Sequence, residues 1–425
     1  MLDIKLIRSD PEFVKSALLK KGEGYDIDAI LKIDEERRQI IARADAMKAE
    51  QNAESRKMPQ LKAAGQDVSQ LMAEMKTLAA KIKECDNELT RLEEEQRNLL
   101  LELPNLPDKD VCGGGKENNV PVSYFGEAPK FDFQPKNHVD LCEKLHLIDY
   151  QRGAKLAGSG SWIYTGMGAR LEWALLNFFI SEHLNDGYEL LLLPHMLNEE
   201  CGLVAGQFPK FADEVFWIQN PTSTDRKFML PTAETALVNL HRDEILNEDE
   251  LPKKYIAYTP CYRREAGSYR SEERGMIRGH QFNKVEMVQY TTPEKSDEAF
   301  AELVGKAEKL VQKLGLHYRL SKLAAGDCSF SMARTYDIEV WIPSMGIYKE
   351  VSSASNARDY QARRGNIRFR DAEKKVRFAH TLNASGLATS RVLPAIVEQY
   401  QNADGSVTIP EVLRPYIGAD RIPNC

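Results

Sequence analysis

The feature that most constrains the fold of this chain is a long stretch near its N-terminus that is almost free of helix-breaking residues. From about residue 27 to residue 101, its only Pro and Gly are Pro59 and Gly65. In the second half of the stretch, mostly apolar positions alternate in steps of four and three, which keeps one stripe of a helix facing a partner. That stripe consists of Leu71, Met75, Leu78, Ile82, Cys85, Leu89, Leu92, Gln96 and Leu99. The pattern predicts a coiled coil.

A weaker stripe earlier in the same stretch supplies the partner helix. It runs through Ile33, Arg37, Ile40, Ala44, Met47 and Gln51. Because Pro59 and Gly65 both interrupt helices, we expect the first helix to end there and the second to return along it. The predicted structure is an antiparallel helical hairpin, with arms roughly 50 Å long at the rise of an α-helix.

Two interpretations of this hairpin are open at this point. Its periodicity alone favours a dimerisation coiled coil. Its expected tip, between Ser55 and Gln66, contains three cations and no carboxylate, a bias that a simple turn of the chain does not need. The cations are Arg56, Lys57 and Lys62.

Composition narrows the class of protein. The 425 residues predict roughly two or three domains. A net charge of −7 argues against wholesale nonspecific binding of nucleic acid but permits a local basic face. The seven cysteines are widely spaced without a CxxC, so they indicate neither a zinc site nor a disulfide framework, and reduced thiols in a cytoplasmic protein are expected. The N-terminus lacks the pattern of a signal peptide, and no apolar run is long enough to span a membrane.

After about Phe131 the sequence alternates between helical stretches and runs of β-branched and aromatic residues. Several of the strand-like runs are joined by loops too short for a crossover helix, which predicts a largely antiparallel sheet with helices packed on it, an α+β domain. No GxGxxG follows a strand, so a dinucleotide-binding fold is not supported. The glycine run that ends at Lys116 is followed by Glu117 rather than Ser or Thr, and we interpret it as a loop.

A dense mixture of charges lies between two strand-like runs, in PCYRREAGSYRSEERGMIRGHQFNKVEM from Pro260 to Met287. Its members are Arg263, Arg264, Glu265, Arg270, Glu272, Glu273, Arg274 and Arg278, with Gly267 and Gly275 among them. Residues two apart share a face of a strand, so Arg263 and Glu265 lie on one face of the first strand. On the second strand, Phe282, Lys284 and Glu286 share a face. If the two faces coincide, the guanidinium, the ring and the two carboxylates line one cavity that suits a nucleotide beside an amino acid. A surface ladder of salt bridges is the alternative.

Two further stretches carry similar side chains. In FMLPTAETALVNLH, Thr232 and Glu234 stand two apart at a strand-to-helix turn, which by itself indicates an N-cap and a first-turn acid. In GIYKEVSSASNARDYQARR, Glu350 lies near Ser352 and Ser353 after a strand. A carboxylate with a hydroxyl suits Mg²⁺, and a polar strand end is the alternative.

A third stretch, TLNASGLATSRVLPAIVEQYQ, combines polar residues with the start of an apolar helix. Asn383 and Ser385 precede Gly386, which would allow the backbone to approach a ligand closely. Arg391 lies at the start of the helix, where its guanidinium could neutralise a phosphate.

Together these stretches resemble the seryl-tRNA synthetases of the bacterial type over nearly the whole chain. Motif 1 of class II synthetases matches the helix and strand from about Gly168 to Pro194, motif 2 is CYRREAGSYRSEERGMIRGHQF, and motif 3 is NASGLATSRVLPAIVE. TAE at 232–234 and EVSS at 350–353 match the family's serine and ATP signatures. The resemblance implies a tRNA-binding domain over 1–107, with its arm at about 27–101, and a class II catalytic domain over 108–425.

The resemblance also implies the chemistry and its residues. The chain would activate L-serine with ATP and Mg²⁺, without zinc, and charge serine tRNA and selenocysteine tRNA as a cytoplasmic homodimer with no membrane association. Catalysis would depend on Arg263 and Arg391, and Mg²⁺ would be held by Glu350 and Ser353. The serine site would comprise Thr232, Ala233, Glu234, Glu286, Asn383 and Ser385. The ATP site would comprise Arg263, Arg264, Glu265, Gly279, Phe282, Glu350, Val351, Ser352, Ser353 and Arg391. The arm would contact tRNA through Arg56, Lys57 and Lys62.

Three positions depart from the family pattern without removing a charged group. Tyr262 replaces the usual Phe, Ala384 stands where Gly is common, and Gly279 stands where a larger apolar residue often lines the adenine site. The alternatives are an amino acid:carrier-protein ligase, a noncatalytic RNA-binding paralogue, and the zinc-dependent archaeal enzyme. The intact arm, the two motif arginines and the lack of a cysteine cluster argue against these in turn.

Overall fold

The computed structural model describes residues 1–219, 224–265 and 275–424. Within motif 2, the predicted contributors Gly267, Arg270, Glu272, Glu273 and Arg274 therefore lie outside the described residues. The chain divides into two compact units, one made of residues 2–17 and 23–103 and the other of residues 1, 18–22 and 104 onward.

The helices of the described residues are numbered here in chain order. They are α1 (Ile4–Ser9), α2 (Pro11–Leu19), α3 (Ile27–Ala63), α4 (Ser69–Leu101), α5 (His138–Lys144), α6 (Tyr150–Ala157), α7 (Gly166–Asn185), α8 (Glu199–Ala205), α9 (Glu234–Leu237), α10 (Ser296–Lys313), α11 (Tyr360–Arg364), α12 (Thr389–Gln399) and α13 (Arg414–Ile417). No helix in the described ranges combines the length and apolar character needed to cross a bilayer.

The strands follow the same convention. They are β1 (Val120–Phe125), β2 (Ile148–Asp149), β3 (Ile163–Tyr164), β4 (Glu189–Leu191), β5 (Met196–Asn198), β6 (Trp217–Ile218), β7 (Lys227–Met229), β8 (Ile245–Asn247), β9 (Lys253–Tyr262), β10 (Gln281–Thr291), β11 (Tyr318–Lys322), β12 (Arg334–Ile342), β13 (Ile347–Arg358), β14 (Arg368–Arg370), β15 (Val376–Phe378), β16 (His380–Ala388), β17 (Val407–Thr408) and β18 (Arg421–Ile422).

In the first unit, α3 and α4 pack against each other along the two predicted stripes. Ile33, Ile40 and Ala44 of α3 form one buried cluster with Cys85 and Leu92 of α4. Ion pairs join the two helices beside this seam, namely Arg37–Glu93, Arg43–Glu88 and Lys48–Asp86. The helical hairpin is confirmed. Of the predicted α4 stripe, Ile82, Cys85, Leu92 and Gln96 are buried, while Leu71, Met75, Leu78, Leu89 and Leu99 are half-buried.

The predicted helix end at Pro59 is wrong. α3 continues through Pro59 to Ala63. A proline inside a helix removes one N–H donor, which leaves the carbonyl of Ser55 without its helical partner. Both residues are exposed, so water can replace that partner and the helix tolerates the loss. The chain turns at Gly65, whose φ of +71° favours glycine.

The second unit is built on an eight-stranded sheet in the order β1-β11-β12-β13-β16-β10-β9-β4. Neighbouring strands are antiparallel except β4, which runs parallel to β9. Helices α7, α10 and α12 pack on the sheet and form with it the largest buried apolar cluster. The α+β prediction is confirmed. The packing fixes β9, β10, β13 and β16 side by side, and these strands carry most of the candidate site.

Candidate active site

The register of β9 and β10 brings three predicted side chains to one face of the sheet. Cys261 lies opposite Phe282, and Ala257 lies opposite Glu286. Opposed residues of an antiparallel pair share a face, and Arg263 follows Cys261 by two positions. The Arg263 guanidinium lies over the Phe282 ring, 5.2 Å from its centroid.

Glu265 reaches the same region without belonging to the strand. β9 ends at Tyr262, and Glu265 has a φ of +51°, so strand alternation does not apply to it. Its carboxylate accepts a hydrogen bond from Nε of Arg278 at 2.5 Å. Glu265 and Arg278 line one cavity together with Arg263.

This cavity has a volume of about 360 Å³, within the range of small-ligand sites. Thr232 and Glu234 form part of its lining, together with Arg263 and Glu265. The loop Ser329–Met332 lines it as well, and no pattern in the sequence predicted that loop there. Four of the predicted serine-binding and ATP-binding residues therefore meet at one opening.

Glu286 lies beneath this cavity rather than in its lining. It is fully buried, and its carboxylate accepts a hydrogen bond from the Thr232 hydroxyl at 3.0 Å. Lys284 forms an ion pair with the same carboxylate oxygen and donates to the Thr232 hydroxyl at 2.8 Å. The hydroxyl also accepts from the backbone N–H of Glu234, the first residue of α9, at 3.3 Å. The N-cap of α9 is Ala233, so the N-cap expected at Thr232 is wrong, whereas Glu234 lies in the first turn as expected.

A second branch of the network links the two carboxylates. Nδ2 of Asn383 donates to Glu286 at 3.3 Å and to Glu234 at 3.2 Å. Nε2 of Gln361 donates to the other oxygen of Glu234 at 2.8 Å. Burial and the nearby Glu286 charge raise the pKa of Glu234 to about 7. Two carboxylates this close to each other attract a cation. The surrounding donors neutralise their negative charge only in part, so an ammonium group that reaches Glu234 would be bound.

Sequence reasoning assigned no role to Lys284 or Gln361. Lys284 lies between Phe282 and Glu286 on the same predicted face, so strand alternation already placed it in the site. Gln361 lies on α11, and only the packing of α11 against β16 brings it to Glu234. No local pattern in the sequence indicates that contact.

The remaining ATP-site candidates form a second cluster around Glu350. Nη1 of Arg391 lies 3.3 Å from the Glu350 carboxylate and donates to its main-chain oxygen at 2.8 Å. Partial removal from water opposes ionisation of Glu350, whose side chain is 42% exposed, but the charges of Arg391 and Arg263 hold its pKa below the usual value. Ser353, three residues beyond Glu350, lies opposite Asp337 on β12.

The donors in this cluster fit Mg²⁺. Burial and the neighbouring Glu350 carboxylate raise the pKa of Asp337 well above its usual value, and its Oδ1 has no hydrogen-bond partner among the described residues. Carboxylate and hydroxyl oxygens are the ligands that Mg²⁺ prefers, and it is usually held by one or two carboxylates together with substrate phosphates. In the described part of the chain, no group of three or more His, Cys, Asp or Glu side chains is arranged to hold a metal alone.

Two predicted ATP residues lie by a second cavity of about 770 Å³, which Phe282 also lines. Arg264 lines that cavity and donates through Nη1 to the main-chain oxygen of Asp213 at 2.9 Å. Gly279 lies against the Trp162 ring, where an added Cβ would come within 2.1 Å of it. Trp162 thus occupies the space that a larger residue at position 279 would need.

Other predicted residues face away from the cavity. The side chains of Ala233 and Val351 belong to buried apolar clusters, so a ligand could reach only their main chain. The Ser352 hydroxyl is buried and donates to the main-chain oxygen of Ser385 at 2.5 Å, while Ser385 itself lies opposite Glu286. Gly386 makes room for a side chain of the protein, since an added Cβ would lie 2.2 Å from Nε2 of His183.

The three cations predicted to contact tRNA lie near the C-terminal end of α3 and are exposed. Lys57 forms an ion pair with Glu54 at 2.6 Å, just outside the stretch that lacks carboxylates. Arg56 and Lys62 lie on the same part of the helix.

Comparison with known proteins places this geometry in a family. A Seryl-tRNA synthetase N-terminal domain model matches residues 1–107, and a tRNA synthetase class II core domain (G, H, P, S and T) model matches residues 216–400. Serine--tRNA ligase 2 of Clostridium acetobutylicum is 62% identical over 425 residues, covering 99% of this chain and 100% of that protein.

Two solved structures extend the similarity to three dimensions. Seryl-tRNA synthetase from Pyrococcus horikoshii, complexed with ATP, superposes with a TM-score of 0.94 at 35% identity, over 100% of both chains. Cytoplasmic serine-tRNA ligase from Naegleria fowleri, in complex with AMP, gives a TM-score of 0.88 at 29% identity, over 100% of this chain and 99% of that chain. The chain therefore belongs to the seryl-tRNA synthetase family.

Proposed function

We propose that this chain activates L-serine with ATP, forming seryl-adenylate and pyrophosphate, and then transfers the seryl group to the acceptor end of serine tRNA. The observation that carries this proposal is the single cavity in which Glu234, suited to an ammonium group, lies with Arg263, suited to a phosphate. Family membership supports the same reaction.

In the first step the serine carboxylate attacks the α-phosphorus of ATP, and pyrophosphate leaves. Arg263 neutralises the charge that develops on the α-phosphate, since its guanidinium reaches the cavity from above Phe282. Phe282 stacks on adenine, and Glu265 accepts from the adenine amino group. The reaction needs no protein nucleophile, because positioning and charge neutralisation carry it.

The Glu350 cluster receives the phosphate end of ATP. Arg391 covers adenine and extends toward the γ-phosphate, while Glu350 and Ser353 would hold Mg²⁺, with Asp337 nearby. When bound, Mg²⁺ would supply positive charge to the phosphates.

The serine site is built to hydrogen-bond both the ammonium group and the hydroxyl. Thr232, Glu234, Glu286, Asn383 and Ser385 supply it, with Lys284 and Gln361 holding the carboxylates in place. A site of this kind rejects alanine by roughly 10⁴-fold, because buried polar groups would stay unpaired. Threonine must be excluded by the limits of the cavity.

In the second step a ribose hydroxyl of the terminal adenosine attacks the seryl-adenylate. We assign residues 1–107 as the tRNA-binding domain, with the α3–α4 hairpin as its arm and Arg56, Lys57 and Lys62 as RNA contacts. Residues 108–425 form the catalytic domain. Serine tRNA and selenocysteine tRNA are the proposed acceptors, in the cytoplasm.

We further propose a homodimer that pairs through motif 1. The exposed apolar side chains of this segment support it, since Trp173 is 56% and Leu192 is 83% exposed. Large apolar side chains left exposed on α7 and the segment that follows it are typical of a surface that another chain covers. Size-exclusion chromatography with light scattering tests this, and a monomer at micromolar concentration would contradict it.

Serine-dependent exchange of pyrophosphate into ATP, run with the other amino acids in parallel, tests the proposed function. We expect exchange with serine and none above background with alanine or threonine, followed by charging of serine tRNA and selenocysteine tRNA transcripts. Exchange with serine but no charging of any tRNA would favour the carrier-protein ligase. No serine-dependent exchange at all would refute the proposal.

A further inference from the structure

One wall of the cavity is held in place by residues that precede the catalytic domain in sequence. The loop Ser329–Met332 lines the cavity beside Thr232 and Glu234. Its main-chain oxygens, and the one that follows at Ala333, all accept hydrogen bonds from two short segments, residues 18–22 and 104–108. Both segments belong to the same compact unit as the loop.

Three residues of these segments supply the donors to the five carbonyls. Nζ of Lys21 donates to Ser329 O at 3.0 Å and to Met332 O at 2.6 Å. Asn105 donates from its backbone N–H to Phe330 O at 2.9 Å and from its side-chain amide to Ser331 O at 2.9 Å. The backbone N–H of Asp108 donates to Ala333 O at 3.0 Å. Ser329 O also accepts from the backbone N–H of Met332 at 3.0 Å, a turn within the loop. The carbonyls of Phe330, Ser331 and Met332 are held from outside the loop by Lys21 and Asn105, so these two residues fix the position of its backbone.

The loop lies at the serine end of the cavity. Gly206 packs so closely against Ser331 that an added Cβ would come within 2.6 Å of its Cβ. The preceding carbonyl, Ala205 O, accepts from Nε2 of Gln361 at 3.0 Å, and the same amide donates to Glu234. A shift of Ser331 therefore transmits through Gly206 and Gln361 to the carboxylate that is proposed to receive the serine ammonium group.

We propose that Lys21 and Asn105 are positioning residues that fix the Ser329–Met332 wall and thereby set the affinity of the site for serine. This inference rests on the proposed function. Both residues lie within the stretch that matches the N-terminal domain of the family, so part of that domain's sequence shapes the amino acid site.

The chemistry of the two donors suits this role. Asn105 is buried, and its amide bridges Ser331 O to Ala357 O of β13 at 2.8 Å, which ties the loop to the sheet. Burial lowers the pKa of Lys21 to about 8, because its ammonium is taken from water and compensated by carbonyl oxygens. Removing the Lys21 ammonium takes away the donor to Met332 O, and removing the Asn105 amide takes away the side-chain donor to Ser331 O. These carbonyls then recover partners only if the loop moves.

The test compares Lys21→Met with Lys20→Met in the full-length chain. Lys20 is a matched control, because its Nζ donates to Val111 O at 3.0 Å and to Lys109 O at 3.5 Å, neither of which belongs to the wall. Pyrophosphate exchange gives KM for serine, KM for ATP and kcat for each variant, and thermal melting gives Tm. We expect Lys21→Met and Asn105→Ala to raise KM for serine by about fivefold to tenfold, the effect of one lost hydrogen bond. KM for ATP should change by less than about twofold in all variants.

Rescue separates positioning from a general loss of stability. Lys21→Arg keeps donors for both carbonyls and should restore most of the serine affinity. If Lys21→Met does not fold, Asn105→Ala is judged by the same criterion. A KM for serine within about twofold of wild type in the folded variants would overturn the inference, as would a fall in kcat and Tm with KM unchanged. If the wild-type chain shows no serine-dependent exchange, the proposed function fails instead.

Discussion

Arg391 lies directly against Glu350, with Nη1 2.8 Å from its main-chain oxygen and 3.3 Å from its carboxylate. The two residues proposed to meet the phosphates and Mg²⁺ thus hold each other. The charges of Arg391 and Arg263 also hold the pKa of Glu350 below its usual value. Because the contact exists without ligand, the two residues form a preformed pair rather than independent side chains.

Glu350→Gln should therefore raise the Mg²⁺ requirement of the enzyme more than its requirement for serine. We expect the Mg²⁺ concentration that gives half-maximal exchange to rise by about tenfold, because one anionic ligand is lost. A Mg²⁺ titration of pyrophosphate exchange measures it. Glu302→Gln is the control, since Glu302 of α10 pairs with Lys254 at the start of β9, the opposite end of that strand from Arg263. An unchanged Mg²⁺ requirement in Glu350→Gln would exclude it as a ligand.

Arg263→Ala should abolish adenylate formation. Its guanidinium lies over Phe282 and lines the cavity, and no other described residue combines these two contacts. We expect the rate of pyrophosphate exchange to fall by roughly 10³-fold or more, since transition-state charge is left without a partner. Arg226→Ala serves as the control, because Arg226 is an exposed arginine paired with Glu199. Wild-type exchange by Arg263→Ala would refute the assigned role.

The parts of the fold that depend on local repeats could be predicted from the sequence. The apolar stripe of α4 and the alternation of β10 are patterns within one short segment of sequence, and both are found in the folded chain. The end of α3 was misjudged at Pro59, because the cost of one missing donor depends on whether water can reach the freed carbonyl. Strand alternation also could not show that Glu265 leaves β9 with a positive φ.

The contacts that assemble the site were harder to predict from the sequence, because they join residues that are distant along the chain. Glu234 meets Gln361, and Gly279 meets Trp162, only after β9, β10 and β16 pair. The motif residues indicated the chemistry of the site. The residues that hold the motif residues in place belong to no recognisable sequence motif. The donors to the Ser329–Met332 wall belong to this second class.

Glu286→Ala should impair the use of serine and also destabilise the fold. Glu286 is fully buried and paired with Lys284, so the alanine variant leaves a buried ammonium without its partner. We expect a loss of about 3–5 kcal/mol in the free energy of unfolding, measured by urea denaturation. Replacing both residues, with Lys284→Met and Glu286→Leu, should recover much of the stability but none of the serine-dependent exchange. Exchange at the wild-type rate in the double variant would contradict the role of Glu286 in the site.

The use of serine should depend on the ionisation of Glu234. Burial and the Glu286 charge raise its pKa to about 7, and only the ionised form accepts the serine ammonium group. We therefore expect kcat/KM for serine to rise with pH through about 7 and then level off, measured by pyrophosphate exchange. Because the folded pKa lies above the ordinary one, this group favours folding at low pH, and that contribution is lost as the pH rises toward 7.

Glu234→Gln supplies the contrast for that pH profile. The amide keeps the size of the side chain but does not titrate, so the low-pH limb should disappear from kcat/KM for serine while the overall rate falls. Gln361 and Asn383 would then face an amide that accepts through one oxygen only. A low-pH limb of the same midpoint in Glu234→Gln would assign the titration to another group.

Shortening the arm should separate serine activation from tRNA charging. Lys48 and Asp86 form an ion pair across the hairpin at 3.0 Å, so residues 49–85 can be replaced by a short Gly-Ser loop that joins the two helices where they already meet. This deletion removes Arg56, Lys57 and Lys62, while most of the buried cluster around Ile40 and Leu92 remains. We expect serine-dependent exchange within about twofold of wild type and a fall in kcat/KM for serine tRNA of roughly 10²-fold or more, since phosphate contacts dominate the affinity for nucleic acid. If the hairpin were instead a dimerisation coiled coil, the shortened chain would be a monomer by light scattering. Unchanged charging by the shortened chain would show that the arm does not bind tRNA.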